Sequence, residues 1–355
     1  MKIKTFVCKA IYRSPLKSNI MKRFIIISLT ICLSLFSCQS NDTHKNKLKV
    51  DYEKSEPKEV IIKNYADALF SIDTADFSVG LKKIQKEFPT FLDGNLNDPK
   101  AVEYLKAFAT DTFCIRVNDI AQQIFPDTKK LNKEIKSVCQ HFKYYYPNID
   151  IPNTAYLYIS GIDYEMPAIM ILDDGIVISM DFYLGNDNKI YDYVGMPRFR
   201  SLRCQPDYIS RDLAQSFYST FIDKTNHQKD VMSEMINAGK RLYFIEAMNP
   251  SLPDSILMGY SSKQMQWAQL YESDVWASVV SNNMLYSNEV EVFRTLFGDG
   301  PFTQAFSNEA PSRLGEFIGL QIIRSYMNNN DVSLQDLMNN NDLQQIFQES
   351  QYKPK

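Results

Sequence analysis

The sequence predicts an α+β fold, a mostly helical single domain built around a small β-sheet. Three observations carry this. Apolar residues recur at three- and four-residue spacing through most of the chain. One stretch, 154–185, is instead dense in β-branched and aromatic residues and is interrupted by Asp173-Asp174-Gly175. From residue 59 to 355 no Pro/Gly/Ser-rich linker breaks the pattern, so helices and strands are expected to share one core. With 355 residues, 45% hydrophobic and 13% aromatic, the chain can bury a sizeable core.

The elements follow in order. Residues 1–37 carry seven Lys or Arg and no acid. Within them Met21-Lys22-Arg23 precedes thirteen mostly apolar residues, Phe24 to Phe36, too few for a membrane span of ~20 residues. This is the pattern of a signal peptide with Met21 as the expected start. Leu35-Phe36-Ser37-Cys38 at its end resembles a bacterial lipobox, so Cys38 is the expected lipid attachment site. Residues 38–58, "CQSNDTHKNKLKVDYEKSEPK", are polar and charged and are expected to form a flexible tether. Gln39 is not the aspartate associated with inner-membrane retention, and "QSNDTHK" has no compact acidic tag; the expected address is the periplasmic face of the outer membrane.

From Glu59 the spacing predicts helices over 59–70, 78–88, 99–109, 115–124 and 131–146, with Pro126 and Pro147 as breakers. Strands are predicted in "TAYLYIS" (154–160) and on both sides of Asp173-Asp174-Gly175. A loop over 186–206 follows, then helices over 207–223, 229–247, 262–284, 289–297, 311–328 and 333–348. Gly315 and Gly319, four apart, mark a close helix contact.

Composition and motifs narrow the function. Without residues 1–37, Lys and Arg number 32 against 42 acids, a balance of −10, which disfavours nucleic acid as a partner. Cys114, Cys139 and Cys204 are the cysteines beyond Cys38. A Cys114–Cys139 disulfide and buried free thiols both fit, and no CxxC or Cys/His cluster indicates a redox or zinc site. There is no GxSxG, GxxxxGK[ST] or GxGxxG. Serine and cysteine nucleophiles stay open, since their partners need only be close in space.

The helix "DYISRDLAQSFYST" (207–220) follows the strands, where a zinc peptidase carries His-Glu-x-x-His. Here the five positions are Arg211-Asp212-Leu213-Ala214-Gln215. A guanidinium stays protonated and has no lone pair to donate, and an amide oxygen is a poor zinc ligand. The three histidines, His44, His141 and His227, share no ligand spacing. Arg211, Asp212 and Gln215 are therefore degenerate metal-helix positions; no metal, cofactor or catalytic residue is assigned. Asp212 is expected to cap a helix or pair with a cation, and Glu234 and Glu246 to lie on solvated helix faces. The loop "MDFYLGNDNKIYDYVGMPRFR" (180–200) gathers aromatics and arginines, the residue types that anchor interfaces, so Asp181, Tyr183, Gly185, Tyr191 and Arg198 are the expected partner-binding residues; the alternative is that its tyrosines pack onto the sheet.

These segments together resemble a known family. "EVIIKNYADALFSID…LKKIQKEFPTFL" (59–92), "YYPNIDIPNTAYLYISGIDY" (145–164), "GKRLYFIEAMNP" (239–250), "GYSSKQMQWAQLYESDVWASVVSNNMLYS" (259–287) and "RLGEFIGLQIIRSYMNNN" (313–330) occur in the order found in the gliding-motility lipoprotein GldB family of Bacteroidetes. The resemblance implies a membrane-anchored envelope lipoprotein tied to gliding and to the associated secretion machinery. It also implies a distant, degenerate zincin-like fold, with the helix at 207 in place of the metal-binding helix. An arginine of the family's first helix motif is Asn64 here. Three functions fit: a non-catalytic interaction component of the envelope, a residual hydrolase, and a ligand- or glycan-binding lipoprotein.

Overall fold

The structure, a computed structural model, describes residues 47–52, 55, 59–223 and 230–354. The leader and Cys38 lie outside the described residues. Four strands, β1 (Ile61–Asn64), β2 (Thr154–Tyr158), β3 (Ile169–Ile171) and β4 (Ile176–Ser179), form one sheet in the order β1-β2-β4-β3. β1, β2 and β4 run parallel, with Ile61 opposite Thr154 and Ala155 opposite Ile176. β3 runs antiparallel to β4, with Ile169 opposite Ile178, and Leu172 N–H donates to Gly175 O in the hairpin turn between them. The chain is thus an α+β domain of helices around a small sheet.

β1 departs from the expected helix over 59–70. Val60, Ile61 and Ile62 stiffen the chain into extended backbone, and β2 offers the partner; the helix starts only at Tyr65. Asn64 sets that start, its side chain accepting from Asp67 N–H at 3.0 Å to cap α1 (Tyr65–Phe70). The period-two alternation then separates two cores. Tyr156 and Val177 face one formed by Leu69, Phe77, Leu81, Phe88 and Leu92, carried by α1, α2 (Phe77–Ile84) and their neighbours. Ala155, Leu157, Ile176 and Ile178 face the larger core on the other side.

The next helices, α3 (Pro99–Thr110), α4 (Thr112–Ile124) and α5 (Lys129–Tyr145), match the expected spans closely. After the sheet come α6 (Ile209–Phe217), which ends in a π-helical turn over Tyr218–Ile222, and α7 (Val231–Met248). The predicted 262–284 helix is two, α8 (Ser262–Leu270) and α9 (Glu272–Ser281). After α10 (Val290–Phe297) and α11 (Leu314–Asn329), the predicted 333–348 helix also divides, into α12 (Leu334–Asn339) and α13 (Leu343–Ser350), where Asp342 caps a new start. The expected loop over 186–206 contains two short helical turns, Ile190–Tyr193 and Arg198–Ser201.

The expected tether is partly structured. Leu48 is 3% exposed within the larger core, Lys47 Nζ donates to Met327 O at 2.6 Å, and the Tyr52 ring lies 3.9 Å from that of His141. Leu48, Val50 and Tyr52 alternate among polar residues, so one side of this segment can dock while the other stays wet.

α7 and α11 form the centre of the helical layer. α7 is buried on nearly every side, and its closest neighbour is α11. A Cβ on Gly319 would stand 1.9 Å from Met235 O, and one on Gly239 would stand 2.3 Å from Gly319 O. Gly315, the other glycine of the expected contact, makes room for the Phe297 ring. Beside the glycines, Arg324 forks onto both oxygens of Glu246 (2.7 and 3.1 Å) and both of Asp254 (2.8 and 2.9 Å). Glu246 is fully buried rather than on a solvated face, because this guanidinium satisfies it.

Gly319→Ala is expected to destabilise the domain by about 3 kcal/mol in urea unfolding, since backbone, not a flexible side chain, blocks the new methyl. Gly94→Ala, with open space around it, should fall within about 0.5 kcal/mol of the parent. Equal losses at the two sites would remove the close contact as the cause.

Candidate functional site

A cleft of about 410 Å³ opens beside α6, between the loop after β2 and the segment 196–208. Its walls include Tyr164, Met166, Tyr183, Arg200, Arg211 and Asp212. α6 is placed there by its apolar stripe: Ile209, Leu213 and Phe217 are buried at four-residue spacing and face the larger core. Ser216 Oγ donates to Ile169 O at 2.7 Å, fixing α6 against β3 at the sheet edge.

The degenerate metal-helix positions do not converge. Arg211 Nη1 pairs with Asp212 Oδ1 at 2.9 Å, and its Nε reaches Leu257 O at 3.4 Å. Asp212 Oδ2 accepts from the Tyr183 hydroxyl at 3.0 Å. Gln215 turns along the helix to Ser219, its Nε2 3.2 Å from the serine oxygen. Both oxygens of the one carboxylate are engaged, by a cation and by a buried phenol whose own pKa is raised by burial and then by Asp212. Asp212 pairs with a cation, as expected, though the cation is its neighbour in sequence. Among the described residues no three His, Cys, Asp or Glu side chains stand close enough to hold a metal.

The cysteines offer no ready nucleophile. Cys114, Cys139 and Cys204 are free and buried, so the possible Cys114–Cys139 disulfide does not form. Burial pushes the thiols of Cys139 and Cys204 up to about 12, and burial together with Asp111 does the same at Cys114. At neutral pH such thiols stay protonated.

The expected partner-binding loop is corrected by its burial. Asp181 is 0% exposed, Tyr183 1% and Tyr191 0%, so these residues touch the protein's interior and no partner can reach them. Their work is internal. Asp181 Oδ2 accepts from Ser160 N–H, Ser160 Oγ and Ile162 N–H (3.0, 3.0 and 2.7 Å), and Oδ1 accepts from Ser179 Oγ at 2.6 Å. Burial raises the Asp181 pKa, while these donors oppose the rise. They also hold Gly161 and Ile162 at φ of 80° and 59°, a left-handed pair unusual for a β-branched residue. The Tyr191 hydroxyl donates to Asp181 O at 3.0 Å and accepts from Leu184 N–H at 2.9 Å. Gly185 closes the loop, its N–H donating to Cys204 O at 2.9 Å from φ 94°. Arg198 alone of the five has a half-exposed side chain, and it is tied down by Asp187 Oδ1 at 2.9 Å and by Asn186 O. The packing alternative accounts for Asp181, Tyr183 and Tyr191, while Arg198 stays exposed.

Arg200, from the same loop, and residues that the sequence reading passed over, such as Met166 and Arg203, form the reachable surface. Arg200 lies over the Tyr164 ring, 5.7 Å from its centroid, with Glu165 at 3.7 Å. Met166, 47% exposed, stands at the same rim. Arg203 pairs with Asp299 at 2.6 Å across 96 positions of sequence. No local pattern announces that pair; the turn-forming Gly298-Asp299-Gly300 is its only trace.

Asp212→Ala should destabilise the fold by about 1–3 kcal/mol, because the buried Tyr183 hydroxyl loses its acceptor and Arg211 its counter-ion. In the Tyr183→Phe background the same change should be smaller. Urea unfolding of the four proteins, as a double-mutant cycle, checks this; additive losses would mean that the contact carries no coupling.

No curated protein and no solved structure matches the chain. No helix among the described residues is long and apolar enough to cross a membrane. The model of a family described as "Gliding motility protein GldB" matches residues 45–354, which takes in the docked 47–52 segment, the sheet, the cleft and the final helix. The chain therefore belongs to the GldB gliding-motility lipoprotein family.

Proposed function

We propose that the chain is a non-catalytic interaction component of the envelope machinery for gliding and its associated secretion, and that it receives a protein partner at the rim of the cleft beside α6. One observation carries the site: Arg200 stacked on Tyr164, next to the exposed Met166, at the mouth of a concave surface. Arg, Tyr and Met are the residue types enriched where interfaces form, and stacking on Tyr164 restrains the arginine in advance.

The absence of catalysis is supported by chemistry rather than by vacancy. Arg211 has no lone pair, Gln215 points elsewhere, and Asp212 is held at both oxygens. The position of α6 along the edge strand fits descent from a zincin-like peptidase whose ligands have been replaced. Attachment is assigned to a lipid on Cys38, at the periplasmic face of the outer membrane. A multiply acylated cysteine anchors stably where a single chain of myristoyl length does not.

Three outcomes are expected. Met166→Glu and Arg200→Glu should weaken capture of envelope partners by roughly 2 kcal/mol, about 30-fold, in cross-linking from host cells, while Tyr104→Ala, on another exposed surface, should not. If both rim variants fold and keep every partner, the cleft is not the docking site. The full chain, purified in detergent and dialysed, should carry no stoichiometric zinc by elemental analysis and cleave no peptide in a mixed library; about one zinc per chain with cleavage would restore the hydrolase reading. Cys38→Ser should lose both fatty-acid labelling and the membrane fraction, and retention of both would sink the anchor assignment.

A further inference from the structure

A second cavity, of about 290 Å³, lies next to the cleft, and the two meet at Arg203, Tyr208 and Asp299. The boundary between them is an ion pair. Asp299 Oδ2 accepts from Arg203 at 2.6 Å, and Asp299 Oδ1 stands 3.3 Å from Arg313 Nε. Arg313 is 7% exposed, yet its Nε makes no hydrogen bond; only its Nη2 is well satisfied, donating to Met258 O at 2.6 Å.

The surroundings are arranged for negative charge. Two guanidiniums and one carboxylate line this cavity; the next acid, Glu316, sits behind Arg313 at 3.6 Å and is shared with Arg241 at 2.9 Å. The N-terminus of the nine-residue α8 opens on the same space, with the hydroxyl residues Ser261 and Ser262 on the wall. Gly259, at φ 68°, makes the crossing of the arginines possible: a Cβ there would stand 2.8 Å from Arg203 Cδ and 3.2 Å from Arg313 Nη2. The Arg313 guanidinium also lies 5.6 Å from the Tyr260 ring centroid, which holds its plane.

Asp299 is held by the two arginines and open to solvent on its other side. It is flanked by Gly298 and Gly300, the latter with open space where a Cβ would stand, and its side chain is 34% exposed. One buried and one half-buried arginine thus share a single, partly exposed carboxylate in this cavity.

We propose that Asp299 is a displaceable internal ligand, and that Arg203 and Arg313 bind the carboxylate group of an incoming solute or chain end in its place. Displacement removes the partition and joins the two cavities into one groove. This inference is independent of the partner-docking reading, because it is read by small-molecule binding and not by capture of a protein.

The test is calorimetric titration of the full chain in detergent with succinate, with succinamide as the neutral isostere and sodium chloride at matched ionic strength. Succinate should bind the parent weakly, Asp299→Asn about tenfold more tightly, and Arg203→Gln not measurably, with succinamide silent throughout. An acetylated dipeptide with a free C-terminus, compared with its amide, distinguishes a chain end from a free acid. Asp299→Asn binding no more tightly than the parent overturns the displacement. Phosphate binding more tightly than succinate overturns the carboxylate assignment. Should Asp299→Asn fail to fold, the parent decides alone: succinate binding no better than succinamide or chloride removes the site.

Discussion

Gly239 and Gly319 let α7 and α11 meet backbone to backbone, and the rest of the domain is arranged around that approach. Close approach leaves no room for side chains on the contact line, so polar groups that span the interface must reach it from the flanks. They do so as ion pairs: Arg324 with Glu246 and Asp254, and Arg241 with Glu316. Burying such charges is costly unless each oxygen and nitrogen finds a partner. The forked geometry at Arg324 meets that condition, and its guanidinium is held charged, the pull of Glu246 and Asp254 outweighing the burial that would lower its pKa. Register between the helices is thereby tied to a specific set of contacts rather than to apolar area alone. α11 then presents Arg313 at its N-terminal end, so the second cavity inherits its geometry from the central contact.

The same logic governs the other side of the cleft. A buried carboxylate, Asp181, gathers four donors and fixes the turn after β2 in left-handed backbone. That turn leads directly into Tyr164 and Met166, so the rim is positioned by a carboxylate buried in the interior. The buried carboxylate does the positioning, and the half-buried Tyr164 and Arg200 are left reachable at the rim. Loops on a rigid scaffold carry recognition in this way.

Much of the fold was legible because periodicity reports burial. The apolar stripe of α6, the hairpin turn at Asp173-Asp174-Gly175, and the close-packed Gly319 all stand where their patterns place them. β1 was not, because four residues ahead of a strong helical run are too few to show a period, and only pairing with β2 decides them. The site was less legible still. Tyr183, Tyr191 and Asp181 have the residue types of an interface, but composition cannot tell an exposed tyrosine from one whose hydroxyl is satisfied inside. Arg203, Asp299 and Arg313 come together only through tertiary contact, and no spacing encodes them.

α11 also joins two features that are remote in sequence. Its C-terminal end supplies Met327 O to Lys47, at the first described residue of the chain, and its N-terminal end begins beside Arg313. Met327 lies fourteen positions beyond Arg313, which at ~1.5 Å per residue separates these points by roughly 21 Å. The chain therefore enters the domain at the opposite end of this strut from the arginine-lined cavity. The close helix pair therefore links the place where residues 47–52 dock with the arginine-lined cavity at its other end.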